Sequence, residues 1–209
     1  MAKKLEASWM PEWADELPWL QTDTLYNLCE QANGNIFIDV GCFIGGFTKI
    51  MAKWAKKRDG KVYSIDLFDN SCEPIACWGV HKEYDVKEIF LRNIRDRGLE
   101  KYVEVIKGCS WEVAEKFENE SVDFIYIDAE HKYNSCKKDI QNWYPKLKKG
   151  GMIAGHDYSH TTYDEKYIHE DGHGDRHHGV IKAVNEAFLN KGLNLNHKHN
   201  IWWHKKESE

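Results

Sequence analysis

Five polar side chains fall where short apolar segments of the sequence end, and these are the positions that could do chemistry. The segments read as buried parallel strands. The residues at or near their ends are Asp39, Asp66, Ser110, Asp128 and Asp157. Ligands of a parallel sheet bind beyond the carboxyl ends of its strands. The sequence therefore predicts one ligand site that is lined mainly by carboxylates.

Asp66 has a particular chemistry to offer, because it ends the second predicted strand after the glycine turn at 41–46. A carboxylate has two acceptor oxygens, and a ribose has two adjacent hydroxyl donors, so one acid can hold both hydroxyls. The alternative is a structural cap on the following turn. The glycine turn upstream favours the ribose role.

That turn, Gly-Cys-Phe-Ile-Gly-Gly, joins a strand at 36–40 to a segment with helical periodicity. Glycine lets the backbone approach a nucleotide-like ligand because it has no Cβ. The dinucleotide fingerprint G-x-G-x-x-G does not fit, since its second glycine would fall at Phe43. Asp39, Gly41 and Gly45 instead form acid-x-Gly-x-x-x-Gly. A tight turn in some other α/β protein remains the alternative.

The elements that must position these residues alternate along the chain. Strands are predicted at 36–40, 62–68, 103–108, 122–128 and 152–155. The predicted helices that precede, separate or follow them include 21–33, 81–98, 112–117 and 179–190. Residues 193–199 and 201–205 read as a hairpin around Asn200, whose His197, His199 and His204 are expected to face water. The prediction is an α/β, Rossmann-like, doubly wound, seven-stranded sheet, mostly parallel with a C-terminal antiparallel hairpin.

Composition narrows the classes of function. The 209 residues fit one domain, placed at 21–209, and the formal net charge of −5 argues against a nucleic-acid partner. Six cysteines without a C-x-x-C pair, no secretory leader and no apolar span predict a cytoplasmic protein without a membrane partner.

Two segments have no readable code. Residues 1–20 form an aromatic arm with Trp9, Trp13 and Trp19, which would suit a strap over the core, a lid or a homo-oligomer contact. The polar, histidine-rich stretch 158–178 is long for a loop and is predicted to be a lid. A second metal site and a merely solvated loop are its alternatives.

The most diagnostic residues are Ile-Asp-x-x-His at 127–131 and Gly-His-Asp at 155–157. With the acid-x-Gly-x-x-x-Gly turn, the chain from about residue 34 to 205 resembles class I S-adenosylmethionine-dependent methyltransferases. Within that class it resembles the family related to macrolide sugar O-methyltransferases and the protein called cephalosporin hydroxylase, and distantly catechol O-methyltransferase. The resemblance implies that S-adenosylmethionine is bound by Asp39, Gly41, Gly45 and Asp66.

The resemblance also implies that the junction after the third strand contacts the adenine, with Ser110 hydrogen-bonding and Trp111 stacking on the ring. Their alternatives are an N-cap and a core side chain.

By the same resemblance, Asp128 and Asp157 bind a divalent cation, Mg²⁺ or Mn²⁺, and His131 is the general base. The chain departs from the relatives at His156, where the sugar enzymes have an acid, and at Tyr158, where the catechol enzymes have asparagine. If His156 is the third metal ligand, its imidazole favours softer ions such as Mn²⁺ or Zn²⁺. If His156 is not a ligand, the expectation is a weak or metal-free site with His131 acting alone. The structural alternatives are that Asp128 caps the next helix and that His156 is a core hydrogen-bonding residue.

The expected reaction is transfer of a methyl group to a hydroxyl of a sugar or a small polar acceptor. The rivals are methylation of nitrogen or of a protein side chain, a non-catalytic cofactor-binding module, and a nicotinamide dehydrogenase, which Phe43 disfavours. The acceptor has no signature in the sequence.

Overall fold

A computed structural model describes residues 19–69, 85–158 and 178–207. Seven strands form one sheet in the order β3-β2-β1-β4-β5-β7-β6. The strands are β1 Ile36–Val40, β2 Lys61–Asp66, β3 Val103–Lys107, β4 Val122–Ile127, β5 Leu147–Gly155, β6 Asn196–Lys198 and β7 Ile201–Lys205. Strands β1 to β5 pair in parallel, β7 runs antiparallel to β5, and β6 runs antiparallel to β7. The predicted fold class is confirmed.

The described helices are α1 Trp19–Gln31, α2 Thr48–Lys57, α3 Val86–Arg95, α4 Ser110–Ala114, α5 Tyr133–Trp143 and α6 His178–Ala187. Apolar side chains of α1, α2 and α3 pack on one face of the sheet, and those of α4, α5 and α6 pack on the other. The chain winds outward from β1 to β3 and returns to β4, so β1 and β4 flank the point where a doubly wound sheet opens a ligand crevice.

Several predicted boundaries differ from those in the structure, as three elements illustrate. Helix α4 begins at Ser110 instead of 112, because the extended Cys109 already stands at its N-cap. Helix α1 begins at Trp19 instead of 21. Strand β5 begins at Leu147 instead of 152 and so includes the Lys-Lys-Gly-Gly segment, because Leu147 pairs with Val122 before a register shift brings Met152 opposite Phe124.

His204 corrects the prediction that all three hairpin histidines face water. It is 1% exposed, its ring stacks on Phe188 at 4.7 Å between centroids, and its Nε2 lies 3.2 Å from the Tyr144 hydroxyl. His197 is exposed and His199 is half-buried, where its Nδ1 lies 3.0 Å from the Thr24 hydroxyl.

Other predictions lie outside the described residues. They concern residues 1–18 of the arm, residues 81–84 of the predicted helix, and residues 159–177 of the predicted lid. Within the described part of the chain, every helix is too short or too polar to cross a bilayer.

Candidate active site

The glycine turn is shaped first by packing inside the protein. Gly41 has φ +84°, and a Cβ there would lie 2.2 Å from the carbonyl oxygen of Asp128. Gly45 has φ +91°, and its Cβ would lie 3.2 Å from the ring of Phe90 on α3. Because side chains rarely adopt such φ values, both positions require glycine. The turn is therefore fitted to the end of β4 and to α3, so that packing within the protein requires both glycines whether or not a ligand approaches.

Asp66 pins this turn from the end of β2. Its Oδ2 accepts a hydrogen bond from the Phe43 backbone N–H at 2.9 Å, and its Oδ1 accepts one from the Phe68 N–H at 2.8 Å. Burial raises the pKa of the carboxyl, and these two amides oppose the rise. Each carboxylate oxygen keeps a second lone pair, so the predicted role toward ribose hydroxyls stays open beside the structural one.

Asp39 lies under the turn and is 1% exposed. It accepts a short hydrogen bond from the Thr48 hydroxyl on α2, whereas its Oδ1 has no partner. Burial raises the pKa of Asp39 to about 7. Thr48, which the sequence analysis did not single out, is the residue that orients this acid.

Ser110 and Trp111 open α4 beside the end of β3. The Ser110 oxygen accepts a hydrogen bond from Trp143 Nε1 at 2.8 Å, and the Lys138 ammonium stands 3.9 Å from the centroid of the Trp111 ring. Ser110 thus has a protein partner. The adenine roles stay predictions.

The residues predicted for catalysis and metal binding come together at the ends of β4 and β5. His131 Nε2 lies 2.9 Å from Asp157 Oδ2 and 3.6 Å from Asp128 Oδ1. His156 Nδ1 lies 3.1 Å from Asp157 Oδ1 and 3.9 Å from Asp128 Oδ1. Two carboxylates thus alternate with two imidazoles.

Backbone contacts hold this cluster in place. The Asp128 N–H donates to the Val40 carbonyl at 2.8 Å, and the His156 N–H donates to the Ile127 carbonyl at 3.1 Å. Gly179 of α6 packs on the loop, since a Cβ there would lie 2.6 Å from the His131 carbonyl oxygen. Asp157 has φ +60°, a conformation that costs on the order of 1–3 kcal/mol for a non-glycine residue and clusters at functional sites.

The electrostatics of the cluster follow from this pairing. Burial opposes protonation of His131, but its hydrogen bonds to Asp128 and Asp157 outweigh that effect and raise its pKa to about 10. Burial likewise opposes protonation of His156, and the nearby Asp128 and Asp157 carboxylates raise its pKa. For Asp157, burial would raise the pKa, but the two histidines outweigh it and hold the pKa well below its usual range.

The donor set fits a divalent cation. One atom each of Asp128, His131 and Asp157 lies within 4.8 Å of the others, and all three residues are half-buried. Two carboxylate oxygens suit Mg²⁺ or Mn²⁺, and an imidazole nitrogen beside them shifts the preference toward Mn²⁺. The structure groups His131 with the acids as a possible ligand, although His131 was predicted as the base and His156 as the ligand. The geometry leaves either assignment open.

Two buried polar atoms at the cluster have no hydrogen-bond partner, and one of them belongs to Tyr126, which the sequence analysis did not single out. The Tyr126 hydroxyl and His156 Nε2 are buried without a hydrogen-bond partner, and Phe47 contacts both rings, at 4.7 and 5.6 Å between centroids. The alternation of β4 could have indicated Tyr126, since it shares a face with Phe124.

A doubly wound sheet with an antiparallel end, a glycine turn after β1 and acids at the strand ends define the class I methyltransferase architecture. The family model described as "Methyltransferase domain" matches residues 38–158, which is more than half of the chain. The chain belongs to this methyltransferase family, whose members use S-adenosylmethionine as methyl donor.

Solved structures agree on the fold. A Staphylococcus aureus protein provisionally assigned as a caffeoyl-CoA O-methyltransferase superposes with TM-score 0.65 at 18% identity, over 88% of this chain and 82% of that one. The O-methyltransferase NovP superposes with a TM-score of 0.64 at 16% identity, over 90% of this chain and 80% of NovP. The Podospora anserina methyltransferase PaMTH1, bound to S-adenosylhomocysteine, superposes with a TM-score of 0.64 at 13% identity, over 96% of this chain and 84% of PaMTH1.

Among curated proteins, the uncharacterized protein y4gI of Sinorhizobium fredii is 26% identical over 89 residues. The match covers 41% of this chain and 10% of that protein's length.

Proposed function

We propose that the protein transfers the methyl group of S-adenosylmethionine to a hydroxyl of a sugar or another small polar acceptor. A divalent cation at Asp128 and Asp157 would assist the reaction, and His131 would be the general base. The observation that carries the proposal is the convergence of His131 Nε2 on both carboxylates, 2.9 and 3.6 Å away, at the carboxyl edge of a methyltransferase sheet.

Each half of the edge has its own task in this proposal. Asp66 would accept hydrogen bonds from the ribose hydroxyls while it holds the Phe43 amide, and Ser110 and Trp111 would contact the adenine. Asp128, Asp157 and one imidazole would hold the cation. When bound, such an ion lowers the pKa of an acceptor hydroxyl and orients it. Much of the rate would come from holding the acceptor oxygen in line with the methyl group.

His131 has the position for a base but is charged as the cluster stands, with a pKa of about 10. A base must be neutral before it accepts a proton, so this role requires that the carboxylate charge beside it be compensated. His156 is then the available third ligand, since its Nδ1 is 3.1 Å from Asp157 Oδ1.

The experiment is a panel of sugars, phenols, amines and peptides, each incubated with S-adenosylmethionine, with release of S-adenosylhomocysteine as the readout. We expect release with a hydroxylated acceptor, stimulation by Mn²⁺ over a chelated control, and loss of turnover in His131→Ala. Methylation of amines or peptides alone would replace the O-methylation proposal. Equal turnover in EDTA would overturn the metal role. Cofactor binding without turnover on any acceptor would favour a non-catalytic module.

A further inference from the structure

The outer face of α2 carries a concentration of positive charge that methyl transfer does not use. Residues 49–61 contain six cations and one acid, a net charge of +5, so the rest of the chain carries −10. Lys53, Lys56 and Lys57 are exposed and lie on one face of the helix, because they are three and four residues apart. The net charge of −5 that argues against a nucleic-acid partner is an average over the chain, whereas attraction at short range depends on the local charge.

Two more lysines extend this surface along the amino edge of the sheet, opposite the cation cluster. Lys61 opens β2, and its Nζ donates at 3.1 Å to the carbonyl of Lys101 in the turn Glu100–Tyr102, which precedes β3. The acids of the cation cluster lie at the other edge, where the strands end. The basic surface is defined here as Lys53, Lys56, Lys57, Lys61 and Lys101.

The ammonium groups of the basic surface differ from other lysines of the protein in their partners. In the part of the chain that the structure describes, none of the five forms an ion pair with a carboxylate. By contrast, Lys137 pairs with Glu186 at 3.0 Å, and Lys206 pairs with Glu120 at 3.3 Å. Like charges that lie close together repel one another, and a bound anion relieves that repulsion.

Aromatic rings hold two of these ammonium groups in place. The Lys57 Nζ lies 4.2 Å from the centroid of the Trp54 ring and donates to the Tyr26 hydroxyl at 2.9 Å. The Lys56 Nζ lies 5.9 Å from the centroid of the Tyr102 ring. Tyr26 is itself 36% exposed, so part of its side chain is open to a ligand. Cations whose positions are already fixed lose less side-chain freedom when they bind an anion.

We infer that the basic surface binds the phosphate backbone of a single-stranded nucleic acid, with Tyr26 stacking on a base. Cations interleaved with aromatic rings are the combination by which proteins bind single strands without reading their sequence. A lipid surface fits less well, because the apolar face of α2 is buried in the core and cannot insert into lipid. A protein partner also fits less well, because lysine is depleted in protein interfaces. This binding does not depend on the proposed methyl transfer.

The test is fluorescence anisotropy of a labelled single strand of about 15 nucleotides, titrated with the full chain between about 50 and 200 mM salt. Each phosphate contact adds about 0.7 to the slope of log affinity against log salt. Five contacts therefore predict a slope of about −3.5, which is a loss of affinity of about 100-fold over this range. Vesicles of anionic lipid and polyglutamate are the competitors that represent the other partner classes.

Paired variants separate the basic surface from net charge. In Lys53→Gln combined with Lys56→Gln, the slope should shrink by about 1.4 and affinity at the lowest salt should fall by about tenfold or more. The matched control combines Lys137→Gln with Lys206→Gln, which changes the net charge equally and should bind as the wild type does. Lys101→Gln, a variant outside the helix, should shrink the slope by about 0.7.

Tyr26→Leu tests the stacking contact, because leucine keeps an apolar side chain on α1 but has no ring. Affinity for the single strand should fall by about tenfold, the value of one stacked base, and affinity for a duplex of the same sequence should not change. An undiminished affinity for the single strand in this variant would contradict stacking by Tyr26 and overturn the choice of a single strand.

Three results overturn binding of nucleic acid at the basic surface: no binding at the lowest salt, an equal loss in both lysine pairs, or stronger binding to vesicles or polyglutamate than to the oligonucleotide. Affinity for S-adenosylhomocysteine should keep its wild-type value in all these variants. Failure of the wild-type protein to bind S-adenosylhomocysteine would overturn the proposed function and leave nucleic-acid binding standing.

Discussion

The carboxyl edge of the sheet holds two groups of acids that differ in their partners. At the ends of β4 and β5, Asp128 and Asp157 face two histidines and are half-buried. On the other side, Asp39 is bound by a hydroxyl and Asp66 by backbone amides. The pKa of Asp157 is lowered, whereas burial raises the pKa values of Asp39 and Asp66.

This difference explains how one edge can perform two tasks. Asp157 stays charged because two imidazoles lie beside it, which suits a cation and the movement of a proton. Acids held by neutral donors in a buried setting carry charge at a cost and are suited to accepting hydrogen bonds from a neutral ligand such as a nucleoside. Gly41 lies between the two groups and contacts both sides. It packs on the Asp128 carbonyl, and its own N–H donates to the carbonyl of Ile65, the residue before Asp66, at 2.8 Å.

The largest effect should come from the histidine-paired group. His131→Ala should lower turnover by about 10²–10⁴-fold, the range of general acid–base catalysis, and leave the affinity for S-adenosylhomocysteine within about threefold. Steady-state kinetics and calorimetry on the same preparation check this. His197→Ala, an exposed histidine of the hairpin, is the control and should be unchanged. An equal loss of affinity and turnover in His131→Ala would show that the two groups of acids do not have separate tasks.

Gly41→Ala should damage both groups at once. The new Cβ would collide with the Asp128 carbonyl oxygen, and the φ of +84° is itself unfavourable for alanine. We therefore expect the free energy of unfolding to fall by more than about 3 kcal/mol. Gly98→Ala is the matched control, because Gly98 has φ +61° with nothing within 4 Å of its Cβ. It should cost only about 1 kcal/mol of conformational strain. Urea denaturation measures both, and equal losses would contradict the packing role of Gly41.

Asp139→Asn should change how stability depends on pH. The folded pKa of about 7 lies above the unfolded value of about 3.9, so between them the native state binds the extra proton. Wild-type stability should therefore fall as pH rises through this window, by at most about 1.4 kcal/mol per pH unit, relative to the variant. Parallel denaturation curves for both proteins from pH 5 to 7 would show that the carboxyl is not destabilised by burial.

The smallest effect is expected at Asp66. Asp66→Asn keeps an acceptor oxygen for a backbone amide but loses the charge, so affinity for S-adenosylhomocysteine should fall by about tenfold, with turnover at saturating cofactor close to wild type. Asp96→Asn, an exposed acid after α3, should bind as the wild type does. A fall in turnover without a change in affinity would contradict this, because it would indicate that Asp66 acts in the reaction and not in cofactor binding.

The sequence predicted the sheet and most of its edge because both have local signatures. Apolar runs such as 36–40 and 122–127 indicate buried strands whatever surrounds them, and an acid after such a run must lie at the edge. Predictions failed where the structure depends on partners distant in sequence. The Lys-Lys-Gly-Gly segment joins β5 only because Leu147 pairs with Val122.

Two buried polar residues show which signals were available and not used. Asp139 interrupts an apolar helical stripe, and an acid there predicts a buried partner. His204 follows the buried Trp202 by two residues and so shares its face of β7. In contrast, no pattern could indicate that Gly41 packs on Asp128, or which imidazole is nearer to both acids, because these depend on how the strand ends meet.

The most direct test of the two-group account is calorimetric titration of the wild-type protein with S-adenosylhomocysteine, with and without Mn²⁺, repeated on Asp157→Asn. The account predicts affinity on the order of micromolar for S-adenosylhomocysteine in every case, and heat from Mn²⁺ binding in the wild-type protein that disappears in the variant. No binding of S-adenosylhomocysteine, or Mn²⁺ binding that is unchanged in Asp157→Asn, would contradict it.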